Sequence, residues 1–168
     1  MPELPEVETT RRGIAEQIRG RRIEEVVVRN SRLRQQVPGD LDERLRGSTF
    51  LETKRRAKYL LLETTAGQLL IHLGMSGSLR IVAEEEEQRT HDHVIWFLEG
   101  GRQLRYHDPR RFGLVIWAGE DPSQHPLLRD LGPEPLEQEQ LGEILFHRSR
   151  GRNLRLRDFL LDPKVVAG

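Results

Sequence analysis

The spacing of apolar residues at the start of the chain predicts an amphipathic helix. Val7, Ile14 and Ile18 recur at near-helical intervals, which places their side chains on one face. The pattern begins after Pro5 and stops at Gly20, a residue type that commonly ends helices. The sequence therefore predicts an N-terminal helix that packs one face against the rest of the fold.

Short apolar runs separated by turn residues follow this helix and predict strands. A short helix is predicted at 41–45. The predicted strands are residues 22–29, 49–54, 59–63, 68–73, 78–82, 93–99, 103–106 and 114–117. Many short strands at close spacing indicate a sandwich or barrel. The predicted fold class is α+β, with the N-terminal helix packed on an antiparallel β-sandwich of about eight strands and with helices towards the C-terminus.

The composition changes beyond residue 118, where proline, glutamate and leucine become frequent. Residues 126–131 fit one or two helical turns, residues 137–147 fit a helix, and Asn153 is a candidate N-cap for a last helix. We therefore divide the chain into a β-sandwich domain at 1–136 and a helical segment at 137–168.

The amino-acid composition bears on where the protein works and on how it is stabilised. The 168 residues include no cysteine, which excludes disulfides and thiolate zinc sites. No apolar run approaches the roughly 20 residues of a membrane span, and no basic stretch followed by an apolar one marks a secretory signal. We therefore expect a soluble, cytoplasmic protein with no membrane partner.

Charge is balanced in total but unevenly distributed. Lys+Arg and Asp+Glu each number 27, so the formal net charge is +0, which is atypical of nucleic-acid-binding domains. Basic residues nevertheless cluster within 54–58, 102–111 and 148–157, and an acidic run occupies 84–87. Segregated charge of this kind can bind phosphates, although each cluster alone is also typical of a solvated face.

The first residues carry candidate nucleophilic chemistry. Removal of Met1 in front of the small residue Pro2 is expected to leave a secondary amine at the terminus. Terminal amines titrate at about 7.7–8.0, so part of the population is unprotonated near neutrality and able to form a Schiff base. Glu3 is then a candidate general acid or base. The alternative is helix initiation, because proline and acidic residues both favour the first helical turn.

Two further stretches carry candidate functional side chains. In Lys-Arg-Arg-Ala-Lys-Tyr at 54–59, Lys58 stands directly before an apolar strand, where partial burial suits a lysine to proton transfer; the alternative is a charged strand edge. In His-Leu-Gly-Met-Ser-Gly at 72–77, Met75 lies between glycines that permit a tight turn, so we expect its side chain to be exposed. In a duplex-binding protein such a side chain would fill the gap left by an extruded base.

Aromatic and histidine residues suggest further contacts. Asp-Pro-Arg-Arg-Phe-Gly at 108–113 combines a turn with two guanidinium groups and a ring, which suits phosphate binding and stacking; the alternative is a hairpin with Phe112 in the core. His91 and His93 would share one face of a strand. A solvated or phosphate-contacting pair fits them better than a metal site, so no metal site is predicted.

These motifs resemble those of the formamidopyrimidine-DNA glycosylase family, which repairs oxidised bases. The resemblance covers the family's N-terminal domain only. It implies no cofactor in this chain, because neither the family's helix-two-turn-helix domain nor its zinc finger is found in these 168 residues. The similar segments are Pro-Glu-Leu-Pro-Glu-Val-Glu-Thr at 2–9, Arg-Arg-Ala-Lys-Tyr at 55–59, the motif at 72–77, the motif at 108–113 and Leu-Gly-Pro-Glu-Pro-Leu at 131–136.

The resemblance also implies roles for individual residues. Met75 would fill the gap left by the extruded base, and Phe112 would insert between neighbouring bases. Arg110 would face the base that has lost its pairing partner. The implied catalytic residues are Pro2, Glu3 and Lys58. The implied DNA-contacting residues are His91, Arg110, Arg152, Met75 and Phe112.

The implied activity is excision of oxidised purines, formamidopyrimidine and 8-oxoguanine, followed by cleavage of the abasic site through a Schiff base. The implied partner is double-stranded DNA with oxidised bases or abasic sites, in a bacterial cytoplasm near the nucleoid. The alternative is a catalytically impaired fragment that only binds DNA weakly or interacts with proteins. Self-association through an apolar tail is then expected, if the tail lacks intramolecular partners. Its residues are Leu160, Leu161, Val165 and Val166.

Overall fold

Helix α1 spans Leu4–Ile18 in the computed structural model, which describes residues 2–168. Its buried residues are Val7, Ile14 and Ile18, as the apolar spacing predicts. After the helix, Gly20 has a φ of +73°, a left-handed conformation that glycine adopts without steric cost. The chain then enters the first strand.

Residues 2–168 form eight strands in two antiparallel sheets of four strands each. The strands are β1 (Ile23–Val28), β2 (Phe50–Arg56), β3 (Tyr59–Thr64), β4 (Gly67–His72), β5 (Ser78–Ala83), β6 (Asp92–Leu98), β7 (Arg102–His107) and β8 (Leu114–Gly119), with the short helix α2 (Leu41–Leu45) between β1 and β2. One sheet has the order β1-β6-β7-β5 and the other has the order β2-β3-β4-β8. The predicted α+β sandwich is therefore confirmed.

The main core is built from both sheets together with α1 and α2. Its largest buried side chains include Phe50, Trp96 and Tyr106. A second apolar cluster joins Leu61 of β3 with Leu128 of the segment after β8. Because β3 therefore contributes to two clusters, its sequence is a nearly continuous apolar run rather than an alternating one.

The C-terminal elements differ in detail from the sequence prediction. Residues 126–130 form turns, among them one i,i+4 turn in which the Arg129 N–H donates to the His125 carbonyl at 3.0 Å, and no helix longer than this turn. The helix predicted at 137–147 begins later, at Leu141. The backbone N–H groups of residues 137 and 138 both donate to the Glu134 carbonyl, which places them in a turn before the helix. Asn153 is not an N-cap; Arg155 holds that position and makes no side-chain capping bond. The helical elements of this region are a 3-10 turn (Pro122–Gln124), α3 (Leu141–Ser149) and α4 (Leu156–Leu160).

The last residues fold back on the segment before α3. The Gly132 N–H donates to the Pro163 carbonyl at 2.8 Å, and the Ala167 N–H donates to the Pro133 carbonyl at 3.0 Å. Val165 is 2% exposed, so the expectation that it lacks an intramolecular partner is wrong. The division of the chain at residue 136 stays a prediction. Within residues 2–168, no helix has the length and apolar character needed to cross a membrane.

Candidate active site

Glu3 and Lys58 meet at the N-terminal end of α1. The Lys58 ammonium lies 2.5 Å from a carboxylate oxygen of Glu3. The Glu3 backbone N–H donates to the Glu6 carboxylate at 3.0 Å, which fixes the start of the helix. Pro2 directly precedes Glu3 in the chain, so the ion pair lies one residue after the predicted nucleophile. Met1 is outside the described residues, and its removal stays a prediction.

Lys58 lies in a tight hairpin turn. Ala57 and Lys58 connect β2 to β3, whose last ladder pair is Arg56 with Tyr59. Ala57 is 3% exposed and has a φ of +51°, in the left-handed region that side-chain-bearing residues rarely adopt. The Lys58 side chain is 21% exposed. The turn therefore presents a partly buried ammonium to Glu3.

His72 lies across the sheet from this turn, paired with Tyr59 in the β3–β4 ladder. Burial, together with the positive charges of Arg34 and Lys58, lowers the pKa of His72 to about 4. The His72 Nδ1 accepts a hydrogen bond from the Gly74 N–H at 2.9 Å, so the neutral ring carries its proton on Nε2. His72 is therefore an uncharged donor at neutral pH. It lines a cleft of about 200 Å³ together with Lys58 and Tyr59.

Two exposed apolar side chains occupy neighbouring loops. Met75 is 40% exposed and Phe112 is 47% exposed, so the alternative that Phe112 belongs to the core is wrong. The loops touch, because a Cβ added to Gly74 would overlap the backbone of Gly113. The Arg110 guanidinium lies over the Phe112 ring at 4.9 Å from its centroid.

Asp108 ties these two loops together. Its side chain is fully buried, and its carboxylate accepts hydrogen bonds from the Ser76 hydroxyl at 2.8 Å, the Gly113 N–H at 2.9 Å and the Tyr106 hydroxyl at 3.3 Å. A buried carboxylate is tolerated only with donors of this kind. One buried residue therefore fixes the loop of Met75 relative to the loop of Phe112.

His91 and His93 do not form a solvated pair. His93 is 3% exposed, its Nε2 donates to the Asp108 carbonyl at 2.8 Å, and burial lowers its pKa. A register shift between Asp92 and Val94 removes the simple alternation on which the prediction depended. His91 stays partly exposed. Among residues 2–168 there is no group of three side chains arranged to hold a metal ion.

Residues 1–115 match the family sequence model of the formamidopyrimidine-DNA glycosylase N-terminal domain. The chain belongs to the formamidopyrimidine-DNA glycosylase family. Formamidopyrimidine-DNA glycosylases from Thioalkalivibrio sulfidiphilus and Methylococcus capsulatus are 53% and 55% identical to it over 168 residues. These alignments cover 100% of this chain and 62% of each relative, so the chain spans 62% of their length.

Solved structures from the family have the same fold. Fpg from Lactococcus lactis, in complex with DNA containing N7-benzyl-Fapy-dG, has a TM-score of 0.88 at 31% identity over 99% of this chain and 62% of that chain. The same protein bound non-covalently to DNA with an AP site has a TM-score of 0.88 at 30% identity, over 99% and 64% of the two chains. MutM from Thermus thermophilus gives 0.82 at 36% identity, over 99% and 59%.

In this glycosylase-family fold, the predicted residues fall into separate groups. Glu3 and Lys58 form an ion pair, and Met75 and Phe112 lie on touching loops. Arg152 lies on the exposed connection between α3 and α4, with its guanidinium 5.7 Å from the Phe159 ring centroid. The structure does not bring Arg152 into either group, and its role stays a prediction.

The sequence pattern misses Arg34 as a site residue. Its backbone N–H donates to the Gly113 carbonyl at 3.1 Å. Its side chain lines a cleft of about 450 Å³ with His72, Met75 and Phe112. Arg34 lies in the irregular stretch between β1 and α2, where no periodicity marks a residue for burial or for a site. Its proximity to the other residues is established only by the fold.

Proposed function

We propose that this chain is the catalytic domain of a base-excision DNA glycosylase with AP lyase activity, acting on oxidised purines such as formamidopyrimidine and 8-oxoguanine. The observation that carries the proposal is the Glu3–Lys58 ion pair directly after Pro2. A nucleophile, a carboxylate and an ammonium at one helix start suit proton transfer around a sugar. Membership of the glycosylase family and the DNA-bound structures of similar proteins add support.

The proposed reaction begins with the amine of Pro2, after Met1 has been removed. The Glu3 carboxylate first takes a proton from the Pro2 ammonium. The freed amine attacks C1′ of an extruded nucleotide, the C1′–N bond breaks, and the base leaves with the bonding electrons and the proton that the Pro2 nitrogen releases. Glu3 then gives its proton to the ring oxygen as the sugar opens, which leaves an iminium between Pro2 and C1′. Removal of the C2′ proton then expels the 3′ phosphate, and a second elimination expels the 5′ phosphate. Lys58 binds a phosphate beside the lesion and assists these eliminations.

The proposed DNA face combines the apolar wedges with cations. Met75 and Phe112 fill the space left by the extruded nucleotide, as exposed apolar side chains do in other duplex-bending proteins. Arg110 faces the orphaned base, while His91 and Arg152 contact the backbone. The partner is duplex DNA that contains an oxidised base or an abasic site.

A strand-cleavage assay tests the proposal. Duplexes carrying 8-oxoguanine or an abasic site are incubated with the wild type, Glu3→Gln and the control Glu16→Gln, whose side chain is 84% exposed on the same helix. We expect phosphate at both ends of the gap with the wild type and the control. With Glu3→Gln we expect at least a hundredfold slower cleavage of the 8-oxoguanine duplex, in line with general acid–base catalysis worth about 10²–10⁴-fold. Binding of either duplex without cleavage by the folded wild type would favour the impaired DNA-binding fragment instead.

A further inference from the structure

Glu134 is a buried carboxylate that the proposed chemistry does not use. It lies between β8 and α3 and is 8% exposed. Its carboxylate accepts hydrogen bonds from Arg55 at 2.7 Å, from Arg56 at 3.0 Å and from the backbone N–H of Ala57 at 2.5 Å. An unpaired buried charge is costly, so three donors satisfy it. All three donors belong to the end of β2 and the turn that carries Lys58.

The bond to Ala57 bears directly on the placement of Lys58. Ala57 holds its left-handed φ of +51°, and such a conformation persists only where the surroundings hold it. Because the turn between the strands consists of Ala57 and Lys58 alone, the orientation of the Ala57 peptide determines where the Lys58 side chain starts. It therefore influences whether the ammonium reaches Glu3.

The same carboxylate connects the turn to α1. Arg55 is 5% exposed at its side chain and bridges Glu134 at 2.7 Å and Glu8 of α1 at 3.2 Å. The hydrogen bond from Arg11, with smaller contributions from other arginines, lowers the pKa of Glu8 to about 2. Glu8 is therefore charged at neutral pH, and a continuous set of ion pairs links the helix to the turn.

The segment that carries Glu134 is itself held in place. The Arg56 guanidinium donates to the carbonyls of Leu131 at 2.9 Å and Gly132 at 2.6 Å. The Gly132 N–H in turn donates to the Pro163 carbonyl at 2.8 Å. Glu134 thus approaches the turn from a backbone that is fixed on two sides.

We propose that Glu134 is a positioning residue that holds the Ala57–Lys58 turn so that the Lys58 ammonium faces Glu3. Its catalytic relevance rests on the proposed function, because Lys58 and Glu3 act in catalysis only if that function is correct. The placement of Lys58 is measurable without DNA, so the two proposals can fail separately.

The test compares Glu134→Gln with Glu139→Gln, a matched change at an exposed residue of the same segment. Lysine occurs only at positions 54, 58 and 164, so brief reductive methylation followed by peptide mass spectrometry reports Lys58 separately. Glu3→Gln serves as the reference in which Lys58 has lost its ion-pair partner. We expect the methylation rate of Lys58 in Glu134→Gln to rise to the rate in this reference, while Lys54 and Lys164 keep their rates. A Lys58 rate equal to that of the wild type in folded Glu134→Gln would overturn the proposal.

Glu134→Asp covers the case in which the glutamine variant does not fold. Aspartate keeps the charge that neutralises the arginines but retracts the carboxylate by one methylene, which weakens the bond to the Ala57 N–H. The same rise in Lys58 methylation is expected, and a rate equal to that of the wild type would overturn the proposal for this variant as well.

Borohydride trapping on abasic DNA supplies the functional readout. Both Glu134 variants should trap about 10- to 100-fold more slowly than the wild type, as small misplacements of catalytic groups do. Glu139→Gln should trap at the rate of the wild type. If the wild type itself forms no adduct, the proposed function fails, and the methylation rates still decide whether Glu134 positions Lys58.

Discussion

Lys58 has a carboxylate and a neutral imidazole as its neighbours in the candidate site. Glu3 offsets the charge of the ammonium at 2.5 Å. His72 is kept neutral because burial and the charges of Arg34 and Lys58 lower its pKa to about 4. At neutral pH the imidazole therefore adds a hydrogen-bond donor to the site without adding a further positive charge.

His72 should make the stability of the fold depend on pH. The pKa of His72 is about 4 in the folded chain and about 6.5 in an unfolded one. As the pH falls from about 6.5 to 4, the unfolded state takes up a proton that the folded state does not, so stability is lost over this window. When the pH is lowered from 7.5 to 5, the free energy of unfolding of His72→Gln should therefore rise by about 1–2 kcal/mol relative to that of the wild type. Urea unfolding at the two pH values measures this difference.

The control for this change is His147→Gln, at an exposed position on α3. Its unfolding free energy should track that of the wild type at both pH values. A difference between His72→Gln and the wild type that is the same at both pH values would contradict the assigned environment of His72.

At the scale of structural elements, the loops that carry Met75 and Phe112 behave as one unit. Gly74 lets the two backbones touch, and the buried Asp108 carboxylate accepts donors from both loops. In the proposed function, these two side chains fill the space left by the extruded nucleotide and must hold their position against the DNA. The shared carboxylate would supply the rigidity that this role requires.

Asp108→Asn should loosen both loops together. The neutral amide can keep the hydrogen-bond partners of the carboxylate only with its nitrogen towards the Ser76 hydroxyl, and each remaining bond loses the contribution of the carboxylate charge, so we expect a loss of about 1–3 kcal/mol in the free energy of unfolding. Amide hydrogen exchange at 74–77 and at 110–113 should accelerate in parallel. Asp130→Asn, at a side chain that is 59% exposed, should change neither quantity. Faster exchange in one loop alone would show that the loops are independent.

The elements themselves follow from local sequence, whereas the site follows from contacts between distant positions. Apolar spacing is sufficient to predict α1 and the eight strands, because each pattern is contained in a few consecutive residues. The bonds of Glu134 to Arg55 and Ala57 join positions 79 and 77 apart, and no local pattern encodes them. The burial of His93 depends on a register shift between two strands, which periodicity does not reveal.

At the scale of the whole molecule, some basic residues are buried in ion pairs and others are exposed to solvent. Arg105 is fully buried and is bound to Asp92 at 3.5 Å and Gln103 at 2.8 Å. Arg55 is likewise enclosed by carboxylates. Part of the basic clusters at 54–58 and 102–111 therefore stabilises the fold. Under the proposed function, affinity for DNA would come from the remaining exposed cations, such as Arg34 and Arg110.

Arg34 should contribute one phosphate contact. The logarithm of the DNA association constant falls with the logarithm of salt concentration by about 0.9 for each phosphate neutralised. We expect Arg34→Ala to weaken binding of abasic duplex and to reduce this slope by about 0.9, measured by fluorescence anisotropy across a salt series. Arg19→Ala, at a side chain that is 61% exposed at the end of α1, should leave the slope unchanged. An unchanged slope for Arg34→Ala would place Arg34 away from the DNA.

The proposed mechanism requires that the amine of Pro2 attacks the sugar, and peptide mapping of a borohydride-reduced complex with abasic DNA detects the product of this step. In protein freed of Met1, we expect the deoxyribose remnant on the nitrogen of Pro2. We expect no adduct for the same chain with an N-terminal extension, because the Pro2 nitrogen is then an amide. An adduct on a lysine, or none at all in folded protein that lacks Met1, would rule out Pro2 as the nucleophile.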